Sequence, residues 1–160
     1  MLILGIDPGT VAIGLGLIEY KNKKATLVAF DCLVTNQSET TAERLNDLHQ
    51  KLTKFIKKYK PEIITVEDLF FFKNTKTVIK VSQARGVILL AASQQKITVF
   101  EFTPLQIKQA LTGYGRAEKK QVQHMVKAVL GLKEIPQPDD AADALAAAIC
   151  CAHSLKNIPN

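Results

Sequence analysis

The 160-residue chain is short of the residues that build disulfide frameworks, zinc sites and membrane spans. Its three cysteines, Cys32, Cys150 and Cys151, are odd in number and lack zinc-ligand spacing, so they read as small buried residues of a reducing compartment. His49, His124 and His153 are scattered and form no ligand pattern. No apolar run is long enough to span a bilayer. The short apolar start carries Asp7 and lacks a basic segment before it, so no secretory leader is expected. The expected location is the cytoplasm, with no membrane partner. Internal repeats, low-complexity segments and linkers are also missing. Acids are few: 15 against 21 lysines and arginines, a formal charge of +6. A basic balance says little alone, but it favours a polyanionic partner. Hydrophobic residues make up 47%, which argues against disorder. The length fits one domain, expected over residues 1–155, with 156–160 a frayed tail.

What is present reads as an α/β chain. Residues 2–6, 11–19 and 25–35 predict three strands joined by short turns, an antiparallel meander. Thr40 and Glu43 fit a capping box ahead of a helix, whose Leu45, Leu48, Leu52, Phe55, Ile56 and Tyr59 keep helical spacing. Lys51, Lys54, Lys57 and Lys58 lie largely off that stripe and read as a solvated face. Pro61 ends this helix, and residues 62–66 predict a central strand. A helix over 74–95 is apolar around most of its circumference, which suggests a protein interface. A strand over 97–102, a short helix from Pro104 to Leu111, a helix over 118–130 and an Ala-rich helix over 139–153 complete the chain.

Four acids fall at chemically useful places. Asp7 follows the first strand, Glu67 closes the apolar run Ile63-Ile64-Thr65-Val66, and Asp140 and Asp143 lie three residues apart at the start of the last helix. Each has an ordinary alternative as a turn acid, a surface acid or a helix-start acid, with Asp139 as the cap. Their joint placement outweighs these alternatives, because strands 2–6 and 62–66 are expected to be parallel neighbours with the final helix across their ends. Buried acids need a positive partner. Hard oxygen donors select magnesium or manganese, and two such ions about 4 Å apart suit phosphodiester hydrolysis.

Five ordered motifs carry a resemblance over nearly the whole chain: Leu4-Gly5-Ile6-Asp7-Pro8-Gly9, Val66-Glu67, Ser82-Gln83-Ala84-Arg85-Gly86, Ala117-Glu118-Lys119-Lys120-Gln121-Val122 and Asp140-Ala141-Ala142-Asp143-Ala144. The sequence resembles the RuvC family of bacterial Holliday junction resolvases. That resemblance implies a ribonuclease H-like fold, a mixed five-stranded sheet flanked by helices. It implies Asp7, Glu67, Asp140 and Asp143 as ligands of Mg2+ or Mn2+, with Asp139 left open as a neighbour of Asp143. It also implies Lys108 and Lys119 near the scissile phosphate, and Phe70 stacking on an unpaired base. Further candidate DNA contacts are Lys73, Arg85 and Lys120. The implied partners are four-way junction DNA, a second copy in a homodimer, and a RuvA–RuvB branch-migration complex.

Other readings absorb fewer of these residues. Actin-like and sugar-kinase folds also open with a strand, an Asp and a Gly-Thr turn, but they need two such domains. A non-catalytic junction-binding module has no need of four acids. A ribonuclease H-like enzyme acting on RNA is separated from a resolvase only by the family motifs.

Overall fold

Strand register puts the first acid at the rim of the sheet. In the computed structural model, which describes residues 1–9, 11–68 and 75–155 (with the side chains of 75–77 left out), β1 (Leu2–Asp7), β2 (Ala12–Lys21) and β3 (Lys24–Val34) form the expected antiparallel meander. Lys21 opposes Lys24 across Asn22 and Lys23, whose φ values are 52° and 63°. Two left-handed residues are what a two-residue hairpin requires. On the other side of β1 lie β4 (Ile63–Glu67) and β5 (Thr98–Phe102), both parallel to it, giving the order β3-β2-β1-β4-β5. The first four residues of β4 are buried, as a central parallel strand covered on both faces must be.

Successive strand residues point to opposite faces, so each face builds its own core. On one, α1 (Thr41–Tyr59) and α2 (Thr75–Gln94) bury Leu48, Leu52 and Ile88 against Leu4, Leu17 and Ile64. On the other, α3 (Pro104–Thr112), α4 (Lys119–Leu130) and α5 (Asp139–Leu155) pack Ile107, Val126 and Leu145 against Ile3 and Ile18. The capping box at α1 is present: Thr40 N–H donates to Glu43 Oε2 at 2.9 Å, and Glu43 N–H donates to Thr40 Oγ1 at 3.3 Å.

The final helix lies directly on β1 and β2 because three glycines leave room for it. Gly5 opposes Gly16, and Asp7 opposes Gly14. A Cβ at Gly5 would land on the Ala144 carbonyl oxygen, and one at Gly14 on the Asp140 carbonyl oxygen. Alanines at 141, 142, 144 and 146–148 keep the helix side thin, and all are buried. Close packing without Cβ atoms fixes the height of α5 over the sheet, and with it the position of the acids that α5 carries.

The apolar helix over 74–95 shows the surplus side anticipated. Ile88, Ala91 and Ala92 are buried, whereas Ile79 is 62% and Leu90 52% exposed. A Cβ at Gly86, on the same face, would meet open space.

Candidate active site

Asp7 ends β1 and Glu67 ends β4. Ile6 opposes Val66 in the parallel register, so the two acids leave one edge of the sheet side by side. The N-terminal end of α5 brings the other two. The helix begins at Asp139, so Asp140 is in its first turn and Asp143 is one turn further along, not in the first turn with Asp140 as the sequence suggested.

The electrostatics show that the four acids share one place. Burial, then the charges of Glu67, Asp143 and Asp140, push the Asp7 carboxyl up to about 8, against the pull of Lys119. Burial and Asp143 raise Glu67, while a hydrogen bond with Asp7 and the nearby Lys108 and Lys119 restrain the rise. Burial also raises Asp143, against its hydrogen bond to Lys119.

Lys119 opens α4 and reaches across to α5. Its Nζ lies 2.9 Å from Asp143 Oδ2 and 3.4 Å from Asp139 Oδ2. Burial works against its charge, but the Asp143 bond and the two acids together hold its pKa above the usual lysine value. Lys108, on α3, lines a cavity of about 250 Å³ together with Glu67, Lys119 and Asp143. The two lysines singled out beforehand thus stand at the acids.

The structure also separates Asp139 from Asp140. Asp139 is exposed and taken up by Lys119 and by Gln123, whose Nε2 donates to Asp139 Oδ1 at 2.9 Å. Asp140 is half-buried, and its charge raises Asp7, Asp143 and Cys32.

Two members of the site escaped the sequence reading. Cys32 is not a buried spacer like Cys150 and Cys151: it is half-exposed, and its Sγ lies 4.0 Å from Asp140 Oδ2. The register chain Asp7–Gly14–Cys32 across β1, β2 and β3 puts it there, a relation visible only once the strands are paired. Gln123 is 7% exposed, and its one available signal was a polar residue beside the apolar pair Val122 and Val126.

The remaining candidates divide. Arg85, expected to face phosphate, is paired instead with Glu101 at 2.6 Å and lies 3.7 Å from Asp68, which ties α2 to the end of β5. Lys120 is exposed in the first turn of α4. Phe70 and Lys73 lie outside the described residues.

Among the described residues no three His, Cys, Asp or Glu side chains are gathered so as to hold a metal ion. Lys119 stands against Asp143. Burial, and after it the charges of Glu67, Asp143 and Asp140, disfavour a charged Asp7 carboxyl, a cost that a bound cation would offset. An all-oxygen donor set of this kind fits a hard divalent ion.

Strand order, acids ending β1 and β4, and a further pair on the last helix define an α/β nuclease of the ribonuclease H-like class. The family model of the crossover junction endodeoxyribonuclease RuvC matches residues 3–151, and the chain belongs to that family. It is 54% identical over 153 residues to the RuvC of Fusobacterium nucleatum, covering 96% of this chain and 80% of that one. It is 56% identical over 155 residues to the RuvC of Desulfitobacterium hafniense, covering 97% and 94%. The structure matches that of Thermus thermophilus RuvC with a TM-score of 0.91 at 37% identity, over 98% of this chain and 96% of that one. It matches the same protein in complex with a Holliday junction substrate with a TM-score of 0.89 at 34% identity, over the same shares.

Proposed function

We propose that the protein resolves four-way (Holliday) DNA junctions by metal-dependent hydrolysis of one phosphodiester in each of two strands of like polarity. The observation that carries this reading is that β1 and β4 end side by side on Asp7 and Glu67, with Asp143 of α5 held 2.9 Å from Lys119 at the same place, in a member of the crossover junction endodeoxyribonuclease family. Asp7, Glu67, Asp140 and Asp143 would hold Mg2+ or Mn2+, two ions per site. Divalent ions there would supply Lewis-acid activation of the phosphodiester and of the attacking water.

The chain's own residues do the rest. Lys119, kept charged by Asp143 and Asp139, offers positive charge to the reacting phosphate, where charge develops in the transition state. Lys108 lies across the same cavity beside Glu67 and adds a second cation. Asp139, tied to Gln123, orients Lys119 and is not itself a ligand. Phe70 stacks on a base unpaired at the crossover, an interaction of roughly 1–3 kcal/mol.

One site per chain calls for two chains, because a junction must be cut twice to give two ligatable duplexes. A two-fold dimer formed through Ile79, Gly86 and Leu90 of α2 matches the junction's own symmetry. No helix among the described residues is long and apolar enough to cross a membrane. We place the enzyme in the cytoplasm as a single nuclease domain over residues 1–155, working with a RuvA–RuvB branch-migration complex.

The test is a direct comparison of substrates. A four-way DNA junction should be cut symmetrically in magnesium or manganese, while an RNA–DNA hybrid of equal length stays intact. Preferred cutting of the hybrid would reject the resolvase reading and leave the ribonuclease H-like chemistry standing.

A further inference from the structure

We infer that the groove between β3 and α1 carries the phosphodiester backbone of a junction arm away from the active centre. This rests on the resolvase reading above and adds a path to it. The groove is a cavity of about 390 Å³, walled by Asp31 to Val34 of β3 on one side and by Lys51, Lys54 and Lys58 of α1 on the other, with Phe55 and Tyr59 as an apolar floor. The lysines recur at three and four residues, so they share one helix face. From Lys51 to Lys58 they span about 10 Å of helix, roughly three nucleotide steps along one strand.

Two of the three charges are available. Lys51 is tied to Asp47 at 2.6 Å and donates to the Val34 carbonyl at 2.8 Å. Lys54 and Lys58 are exposed, and no ion pair engages either among the described residues. Lys58 Nζ stands 4.6 Å over the Tyr59 ring, which holds it at the rim. The wall holds one acid, Asp31, against three lysines; its Oδ1 accepts from Cys32 N–H at 2.8 Å. That bond and the Lys51 contact engage the Cys32 N–H and the Val34 carbonyl, two of the groups that this end of an edge strand would offer to an added peptide strand, and three lysines in one wall favour a polyanion. The groove is also continuous with the chemistry. Cys32, on the edge strand β3, lines the groove while its Sγ turns to the other face beside Asp140, so an arm leaving the acids enters the groove by passing over the edge of β3.

The test compares junctions with arms of about 8 and about 25 base pairs, the longer ones able to run down the groove, using Lys54→Ala/Lys58→Ala. Affinity for the long-armed junction should fall about tenfold, and its logarithmic salt slope should become shallower by about 1.8 per engaged arm, for two lost phosphate contacts. Short-arm affinity, thermal stability and the single-turnover rate at saturating protein should not change, and Lys54→Arg/Lys58→Arg should keep long-arm affinity. Unchanged long-arm affinity overturns the proposal. Equal loss on both junctions, or a slower saturating rate, moves these lysines to the crossover and overturns it as well. Loss of poly-glutamate binding with junction affinity intact overturns it in favour of an acidic protein partner. Failure of the unaltered protein to bind or cut either junction sinks the resolvase reading itself, and shows before any variant is compared.

Discussion

Lys119 Nζ lies 2.9 Å from Asp143 Oδ2, closer than to Asp139 at 3.4 Å, so the cation of α4 is aimed at the acids and not at bulk solvent. Lys119→Ala should therefore lose more rate than affinity, about a hundredfold in single-turnover cutting with junction binding changed only a few-fold. Lys119→Arg should recover part of the rate. Rate and affinity falling equally would make Lys119 a phosphate anchor.

Burial and three acids hold the folded-state Asp7 carboxyl near 8, above its ordinary value of 3.8. The folded chain thus keeps a proton that the unfolded chain releases. Stability from this group is lost as pH rises from about 4 to about 8, and is flat above that. Asp7→Asn should flatten the slope, leaving the part that the raised Glu67 and Asp143 carboxyls contribute. In melts without divalent ions the variant should be the more stable one, by a margin that grows from pH 5 to pH 8 at about 1.4 kcal/mol for each pH step of one. Parallel curves for the two proteins would refute the raised carboxyl. Magnesium should raise the melting temperature of the unaltered protein and not that of the variant, which should bind junctions but not cut them.

Local signals were legible in the sequence and long-range ones were not. The Thr40–Glu43 box needs only neighbours, and it forms as read. Apolar runs bounded by turns, and helical spacing, placed every strand and helix to within a few residues, and Asp7 and Glu67 stand at strand ends as read. Cys32 and Gln123 were missed because each acts through a partner more than a dozen residues away, Asp140 and Asp139. Arg85 looked like a phosphate ligand because nothing in its own segment announces Glu101, which neutralises it. The glycine seat of α5 was equally hidden: Gly5, Gly14 and Gly16 have meaning only once β1 and β2 are paired under that helix.

The doubled acids at the start of α5 are distinguished by their partners. Asp139 is engaged by Gln123 and Lys119, whereas Asp140 acts on Asp7. Asp140→Asn should abolish cutting with binding intact. Asp139→Asn should keep most of the activity, and its deficit should match that of Gln123→Ala, since both loosen Lys119. An inactive Asp139→Asn beside an active Asp140→Asn would reverse the ligand assignment.

Gly14→Ala tests whether the seat of the helix sets the chemistry. The added methyl meets the Asp140 carbonyl oxygen, backbone that cannot rotate aside, so α5 must lift at its N-terminal end. Overpacking of this kind destabilises by about 1–3 kcal/mol. Activity should fall further than stability accounts for, because Asp140 and Asp143 move with the helix. Gly86→Ala, whose methyl meets open space within the chain, shortens no contact with α5 and serves as the control at equal dimer content, because Gly86 lies on the α2 face proposed for the dimer. Full cutting by a folded Gly14→Ala protein would show that the acids tolerate displacement.

The exposed face of α2 decides between one chain and two. Ile79 and Leu90 are 62% and 52% exposed, and they stand on a helix whose opposite side already fills the core with Ile88, Ala91 and Ala92. Val78 and Leu89 are each half-buried, so charging them confounds folding with assembly. Leu90→Glu and Ile79→Glu put a charge where only a second copy would cover it. Either should shift sedimentation from dimer toward monomer while the melting temperature of the monomer holds. A mixed dimer with one Asp7→Asn subunit should nick one strand and leave the junction unresolved, which separates the loss of one site from the loss of assembly. A monomer by sedimentation both free and on junction DNA, in the unaltered protein, would defeat the dimer, because a single site cannot cut two strands of like polarity at once.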